Sequence, residues 1–224
     1  MKVIIHPPRN EWSALLQRPA MDHSMLEAAV LEVLNNVKQN GDKALVEFTQ
    51  RFDGVLLKNI KVSDVEIAAA EQELTTELKA AIAQAKENIE RFHAAQVQPV
   101  VKVETMPGVQ CWRKSIGIEK VGLYIPGGSA PLFSTVLMLG IPAVLAGCRE
   151  IILCTPPGKD GNIHPAVLYA AKVAGITQVY KAGGAQAIAA MAYGTETVPA
   201  VFKIFGPGNQ YVTCAKQLIQ RDGI

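Results

Sequence analysis

The feature that most constrains the fold is a fourfold alternation of short apolar segments and helical patterns between Lys120 and Gln220. The apolar segments read KVGLYI, EIILCT, QVYKA and FKIF, and each is followed by a turn and a helix pattern. They are apolar throughout rather than alternating, which is typical of parallel strands covered on both faces. Four such units in series predict an α/β fold with right-handed crossovers and a doubly wound parallel sheet.

We place the predicted strands near residues 121–125, 151–154, 178–182 and 202–205. The turns at 126–130, 183–186 and 206–209 read PGGSA, GGAQ and GPGN. Since these turns follow the carboxyl ends of parallel strands, we expect them to share one edge of the sheet. This Rossmann-like region is assigned to residues 119–224.

Residues 1–118 are predicted to form a mainly helical N-terminal region that ends in a hairpin connector at 97–116. Gly41 and Gly54 each follow a helical pattern as C-terminal caps, and Ser63 with Glu66 matches a capping box. One later helix carries a strongly periodic apolar stripe, made of Leu74, Leu78, Ala81, Ile82, Ala85, Ile89 and Phe92.

Composition excludes several classes of protein. Hydrophobic residues make up 49% of the 224 residues and the net charge is only +2, so the chain is neither disordered nor suited to nucleic acid or an anionic membrane. The longest apolar stretch, 131–148, contains Ser, Thr, Gly and Pro and predicts a buried helix and a turn rather than a membrane span. The N-terminus lacks a signal-peptide pattern, so we expect a cytoplasmic protein.

The four cysteines and four histidines are scattered along the chain without metal-ligand spacing. The sequence therefore predicts no metal ligands and reduced, structural cysteines.

Glycine-rich turns at the predicted sheet edge favour a ligand site, because glycine lets a ligand approach the backbone and helix N-termini attract anions. None of the turns is a G-x-G-x-x-G motif or a P-loop. The same residues also occur in such turns for conformational reasons alone, and for a single turn both interpretations stay open.

The candidates for specific contacts are Tyr124, Gln186 and Asn209. Tyr124 ends its strand, where its ring would either stack on a flat group or pack in the core. Gln186 would cap its helix or contact a ligand, and Asn209 is also a good N-cap residue. Ser129 is interpreted mainly as a cap, and Lys181 and Lys203 as solvated or paired residues.

Three long segments resemble the histidinol dehydrogenase family: VGLYIPGGSAPLFSTVLMLGIPAVLAGC, GGAQAIAAMAYGTETVP and KIFGPGNQYV. The resemblance extends upstream through VLNNVKQNGDKALVEFTQRFDG and NIERFHAAQ. It implies the N-terminal half of an enzyme about twice as long, because the family continues beyond QLIQRDGI.

The resemblance implies oxidation of L-histidinol to L-histidine through an aldehyde, with two NAD as cofactor and zinc holding the substrate. It carries NAD contacts over to Tyr124, Gln186 and Asn209. It places the zinc ligands and the catalytic Glu-His pair outside this chain, so no catalytic residue is assigned here. It further implies a homodimer at full length and an inactive isolated chain.

Two other classes of function stay open from the residues alone. The chain would be a stand-alone α/β module that binds a nucleotide or anion, or a structural or regulatory protein whose glycines serve only in turns. Nucleotide titration separates the last class from the others.

Overall fold

Helices dominate the first half of the chain. The computed structural model describes residues 3–17, 24–128 and 130–223. A 3-10 turn, Arg9–Glu11, precedes α1 (Trp12–Leu15), and the long α2 (Ser24–Asp53), α3 (Asp64–Gln72) and α4 (Thr76–Ala94) follow.

The long helix α2 is two helical segments joined at Gly41, whose φ of 52° and ψ of −131° are not helical. The Glu196 carboxylate accepts a hydrogen bond from the backbone N–H of Asp42 at 2.7 Å, and thus caps the second segment from a distant part of the chain. The predicted interruption at Gly41 is confirmed, and Gly54 follows the last residue of α2 with a positive φ of 74°.

The start of α3 has the predicted capping box between Ser63 and Glu66. The stripe of α4 is confirmed only in part. Ile82 is fully buried, but Ala81 is exposed and Phe92 is 65% exposed. Phe92 lies in the last turn of α4, outside the apolar cluster that Leu78, Ile82 and Ile89 join.

The predicted connector is an antiparallel hairpin of β1 (Lys102–Met106) and β2 (Val109–Trp112). Every residue of both strands is exposed. The hairpin therefore contributes nothing to the buried core of the described residues.

A four-stranded parallel sheet forms the second half: β3 (Lys120–Tyr124), β4 (Glu150–Thr155), β5 (Gln178–Lys181) and β6 (Lys203–Phe205). Their order across the sheet is β5-β4-β3-β6. In register, Leu123 lies between Leu153 of β4 and Phe205 of β6. All four strands begin and end within one residue of the predicted bounds.

Helices α5 (Phe133–Leu145), α6 (Pro165–Val173), α7 (Gly184–Tyr193) and α8 (Gln210–Gln220) connect and follow the strands. Alternate strand residues enter two separate apolar clusters. Tyr124 and Tyr180 pack with α2, α7 and α8, whereas Leu123 and Leu153 pack with α3, α4, α5 and α6. The sheet is thus covered on both faces, and the predicted doubly wound α/β fold is confirmed.

Each of the two apolar clusters contains residues of the N-terminal helices together with residues of the sheet. The segment before α3 also pairs with an edge strand, because Lys181 donates its backbone N–H to the Ile60 carbonyl at 2.7 Å. The division into regions 1–118 and 119–224 stays a prediction about sequence organisation.

Within the described ranges, no helix combines the length and the apolar character that crossing a membrane requires.

Candidate functional site

The strand order changes direction at β3, because the strands that follow β3 in the chain lie first on one side of it and then on the other. The carboxyl ends of β3 and β6 are therefore a topological switch point. β4 and β5 extend the sheet on one side of β3, and β6 pairs on the other. Open α/β sheets bind ligands at such points. A cavity of about 700 Å³ lies there, and the predicted residues Tyr124, Gln186 and Asn209 all line it.

All three predicted turns contribute residues to this cavity. Gly127 and Gly128 come from the first turn, Gly184 from the second and Asn209 from the third. The prediction that the turns share one edge is therefore confirmed.

Tyr124 holds the start of α7 through its hydroxyl. The Tyr124 Oη accepts a hydrogen bond from the backbone N–H of Gly184 at 3.0 Å. The residue is only 3% exposed, so its ring packs in the core and offers no open stacking surface. Burial, with a smaller effect of the nearby Asp53 carboxylate, raises the pKa of the Tyr124 hydroxyl, so this group is neutral at physiological pH.

Gln186 is the most deeply buried polar residue of the cavity wall, at 1% exposure. Its amide makes no hydrogen bond with another described side chain, although it lies in the first turn of α7. The N-cap residue of that helix is Gly183, which has no side chain to cap the first-turn N–H groups. This end of α7 thus presents both an amide and a helix N-terminus to the cavity.

Asn209 has a structural role that leaves part of its side chain available. Its Oδ1 accepts hydrogen bonds from the backbone N–H groups of Tyr211 and Val212 at 3.0 and 3.1 Å, which caps α8. The Nδ2 donor has no partner among the described residues, and Asn209 is exposed. The N-cap interpretation is correct, and it is compatible with a contact to a ligand.

The surroundings of Gly206 and Gly128 differ, so the two turns do not require glycine for the same reason. A Cβ on Gly206 would lie 2.0 Å from the Tyr124 carbonyl oxygen, and its φ is +135°, so this glycine is required by the packing of the turn against β3. A Cβ on Gly128 would meet no atom of the described residues within 4 Å. Internal packing therefore explains Gly206, whereas no contact with the described residues explains Gly128.

Asp53 is a cavity residue that the sequence did not single out. It ends α2, and its Oδ2 is buried without a hydrogen-bond partner among the described residues. Burial raises the pKa of this carboxyl above its ordinary value. The available sequence signal is an acidic residue in the last turn of a helix, where the helix dipole disfavours negative charge.

The remaining candidates lie outside this cavity. Lys181 is buried and forms an ion pair with Glu66 at 2.5 Å, as expected for a paired lysine, and Lys203 is exposed. Ser129 lies outside the described residues. Across 3–17, 24–128 and 130–223, no three His, Cys, Asp or Glu side chains come together as a metal site.

The fold and the cavity define a Rossmann-like α/β protein with a candidate ligand site at its topological switch point. The family model described as histidinol dehydrogenase matches residues 16–224. The chain belongs to the histidinol dehydrogenase family.

Relatives agree with this assignment. A histidinol dehydrogenase of Bacteroides thetaiotaomicron is 60% identical over 98% of this chain and 51% of its own length. One of Yersinia pestis is 56% identical over 93% of this chain and 46% of its own length. The crystal structure of histidinol dehydrogenase from Elizabethkingia anophelis matches with a TM-score of 0.93 and 55% identity, over 97% of this chain and 50% of that one. The chain spans about half the length of these relatives.

Proposed function

We propose that this chain forms the NAD-binding edge of a histidinol dehydrogenase, which oxidises L-histidinol to L-histidine through histidinaldehyde with two NAD in histidine biosynthesis. The observation that carries the proposal is the meeting of Tyr124, Gln186 and Asn209 in one cavity at the switch point. Family membership supports the reaction, and the cavity supports the assignment of the cofactor to this part of the protein.

The cavity wall fits a dinucleotide. Asn209 Nδ2 and the Gln186 amide supply donors without partners among the described side chains, and Gly128 leaves the backbone open to close approach. Tyr211 is 47% exposed at the rim and offers an aromatic surface to a flat ring. Bound NAD supplies the hydride acceptor of the oxidation.

The chain's own residues bind and orient in this proposal; we assign none of them to proton transfer. Tyr124 fixes the first residue of α7 through the Gly184 hydrogen bond, and Asn209 fixes the first turn of α8. Two helix N-termini are thereby held at one cavity, where they favour the negative charge of a pyrophosphate.

Zinc is proposed to belong to the complete enzyme, with its ligands outside this chain. The described residues contain no cluster that fits a zinc site, so we derive no step through the metal. A homodimeric, cytoplasmic full-length enzyme without nucleic acid or membrane partners completes the proposal.

Two assays test the proposal. Calorimetric titration with NAD is expected to show binding to the protein expressed from its complete gene and weak binding at most to the 224-residue chain. NADH production from L-histidinol and zinc is expected from the former and not from the latter. Turnover by the isolated chain above a no-enzyme control would contradict the assignment of the catalytic residues elsewhere. Binding of NAD by the complete protein without oxidation of histidinol would favour the stand-alone binding module.

A further inference from the structure

One side of the cavity carries a carboxylate that the fold does not explain. Asp53 lies at the end of α2, and its Oδ2 is buried without a hydrogen-bond partner among the described residues. Asp53 also takes part in none of the ion pairs between described residues, although Arg51 lies two residues before it. Buried polar atoms of native proteins nearly always have a partner, so this oxygen is an exception that requires a reason.

The local electrostatics do not compensate for the half-buried charge of Asp53. The carboxyl end of a helix has a partial negative charge, which disfavours an acidic side chain. The neighbouring cation, the Arg51 guanidinium, lies over the Phe52 ring at 5.4 Å from its centroid and 3.9 Å from a Glu32 oxygen. Asp53 is thus placed at a net cost to the ligand-free fold, as is common at binding sites.

The chemistry of the oxygen defines what it binds. An ionised carboxylate only accepts hydrogen bonds, so a ligand must offer it an O–H or N–H donor. The same cavity is lined by Tyr124, Gln186 and Asn209, and the amides of Gln186 and Asn209 supply donors that suit phosphate oxygens. Within a dinucleotide, the hydroxyl groups of the two riboses are the donors that lie beside the phosphates, and acidic side chains bind ribose hydroxyls in other dinucleotide sites.

We propose that the Asp53 carboxylate accepts hydrogen bonds from ribose hydroxyl groups of the bound dinucleotide, as a further cofactor-binding residue of this site. The inference rests on the proposed function, because it takes NAD as the occupant of the cavity. It assigns to the C-terminus of α2 a role in cofactor binding that complements the N-termini of α7 and α8.

The test uses the protein expressed from its complete gene and the variant Asp53→Asn, with Glu47→Gln as a matched control. Glu47 is an exposed acid of the same helix that lies outside this cavity, so its replacement removes the same charge. Calorimetric titration with NAD is expected to show about 10- to 100-fold weaker binding for Asp53→Asn, the range for a hydrogen bond to a charged group, and no change for the control.

Two NAD analogues, each lacking the hydroxyl groups of one ribose, identify the contact. One analogue lacks the hydroxyls that Asp53 binds. We expect its affinity for the unmodified protein to equal the affinity of Asp53→Asn for NAD. The substitution Asp53→Asn should not lower the affinity for this analogue any further. The other analogue is expected to bind more weakly than NAD by the same factor in the unmodified protein and in the variant. This non-additivity separates a direct contact from a structural effect of the substitution.

The experiment distinguishes failure of the proposed role of Asp53 from failure of the proposed function. If the unmodified protein binds NAD and Asp53→Asn binds it equally well, the role of Asp53 is overturned and the cofactor proposal stands. If, for both analogues, the loss of binding free energy from the missing hydroxyls adds to the loss from Asp53→Asn, Asp53 does not contact a ribose. If the unmodified protein binds no NAD, the proposed function fails and the inference fails with it.

Discussion

The Tyr124 hydroxyl accepts the backbone N–H of Gly184 at 3.0 Å, although 60 residues separate them in the chain. The bond joins the end of β3 to the first residue of α7, and the φ of Gly184 is +61°, which favours glycine. It thereby fixes one wall of the cavity relative to the other.

Replacing Tyr124 by Phe removes this bond and keeps the buried ring. We expect a loss of about 1 kcal/mol in the free energy of unfolding, the typical net value of a hydrogen bond, as measured by urea denaturation. In the protein from the complete gene, the Michaelis constant for NAD should rise more than that for histidinol. Tyr169→Phe is a control on the opposite face of the sheet and should leave both constants unchanged. A change confined to the histidinol constant would show that this edge holds substrate rather than cofactor.

The two functions of Asn209 are separable by substitution. Asn209→Ala removes the helix cap and the free amide donor, so we expect about 1 kcal/mol of lost stability together with a higher Michaelis constant for NAD. Asn209→Asp keeps a capping oxygen and should retain stability, but it lacks the Nδ2 donor and should raise the NAD constant as well. Full retention of NAD kinetics in Asn209→Asp would restrict Asn209 to its role as a cap.

Substitution of two glycines at the same edge of the sheet is expected to have different effects on stability. Gly206→Ala forces a Cβ against the Tyr124 carbonyl oxygen at a positive φ, and should destabilise the fold by about 1–3 kcal/mol or more. Gly128→Ala enters open space and should leave the urea midpoint unchanged. If a ligand approaches the backbone there, Gly128→Ala should nevertheless weaken NAD binding, and unaltered binding would show that the ligand does not touch Gly128.

The half-buried carboxyl of Asp53 predicts a pH-dependent stability of the ligand-free protein. Because burial raises its pKa in the folded state, the folded protein binds the proton more tightly than the unfolded chain does. Its contribution to stability is therefore fully present below the ordinary carboxyl pKa of 3.8 and is lost as the pH rises through the folded-state pKa. Asp53→Asn should unfold at a higher temperature than the unmodified protein at pH 7, and this gain should shrink as the pH falls towards 4.

The exposed acid Glu47 provides the comparison for this pH effect. Glu47→Gln should change the unfolding temperature little at either pH. A lower unfolding temperature for Asp53→Asn at pH 7 would mean that the carboxylate stabilises the fold, in conflict with its unpartnered oxygen.

The parts of the fold that depend on local patterns were predictable from the sequence. The four strands and the N-cap of α8 at Asn209 follow from apolar runs and turn chemistry. The shared edge of the three turns follows from the geometry of parallel crossovers.

What the sequence did not reveal depends on contacts between distant residues. The Glu196 cap on the second segment of α2 is 154 positions away from its partner Asp42. Likewise, the requirement for Gly206 comes from its packing against β3, and the unpartnered oxygen of Asp53 is visible only when the surrounding atoms are placed. Phe92 fits the helical period of α4, but it lies in the last turn, outside the apolar cluster that Ile82 joins.

The most direct test of the central claim is a crystal structure of the protein from the complete gene with NAD bound. We expect the dinucleotide in the cavity between β3 and β6, with Asn209 Nδ2 and the Gln186 amide within hydrogen-bond distance of it and the Tyr124–Gly184 bond intact. A dinucleotide bound elsewhere, with Tyr124, Gln186 and Asn209 free of contact, would contradict the assignment of this edge to the cofactor.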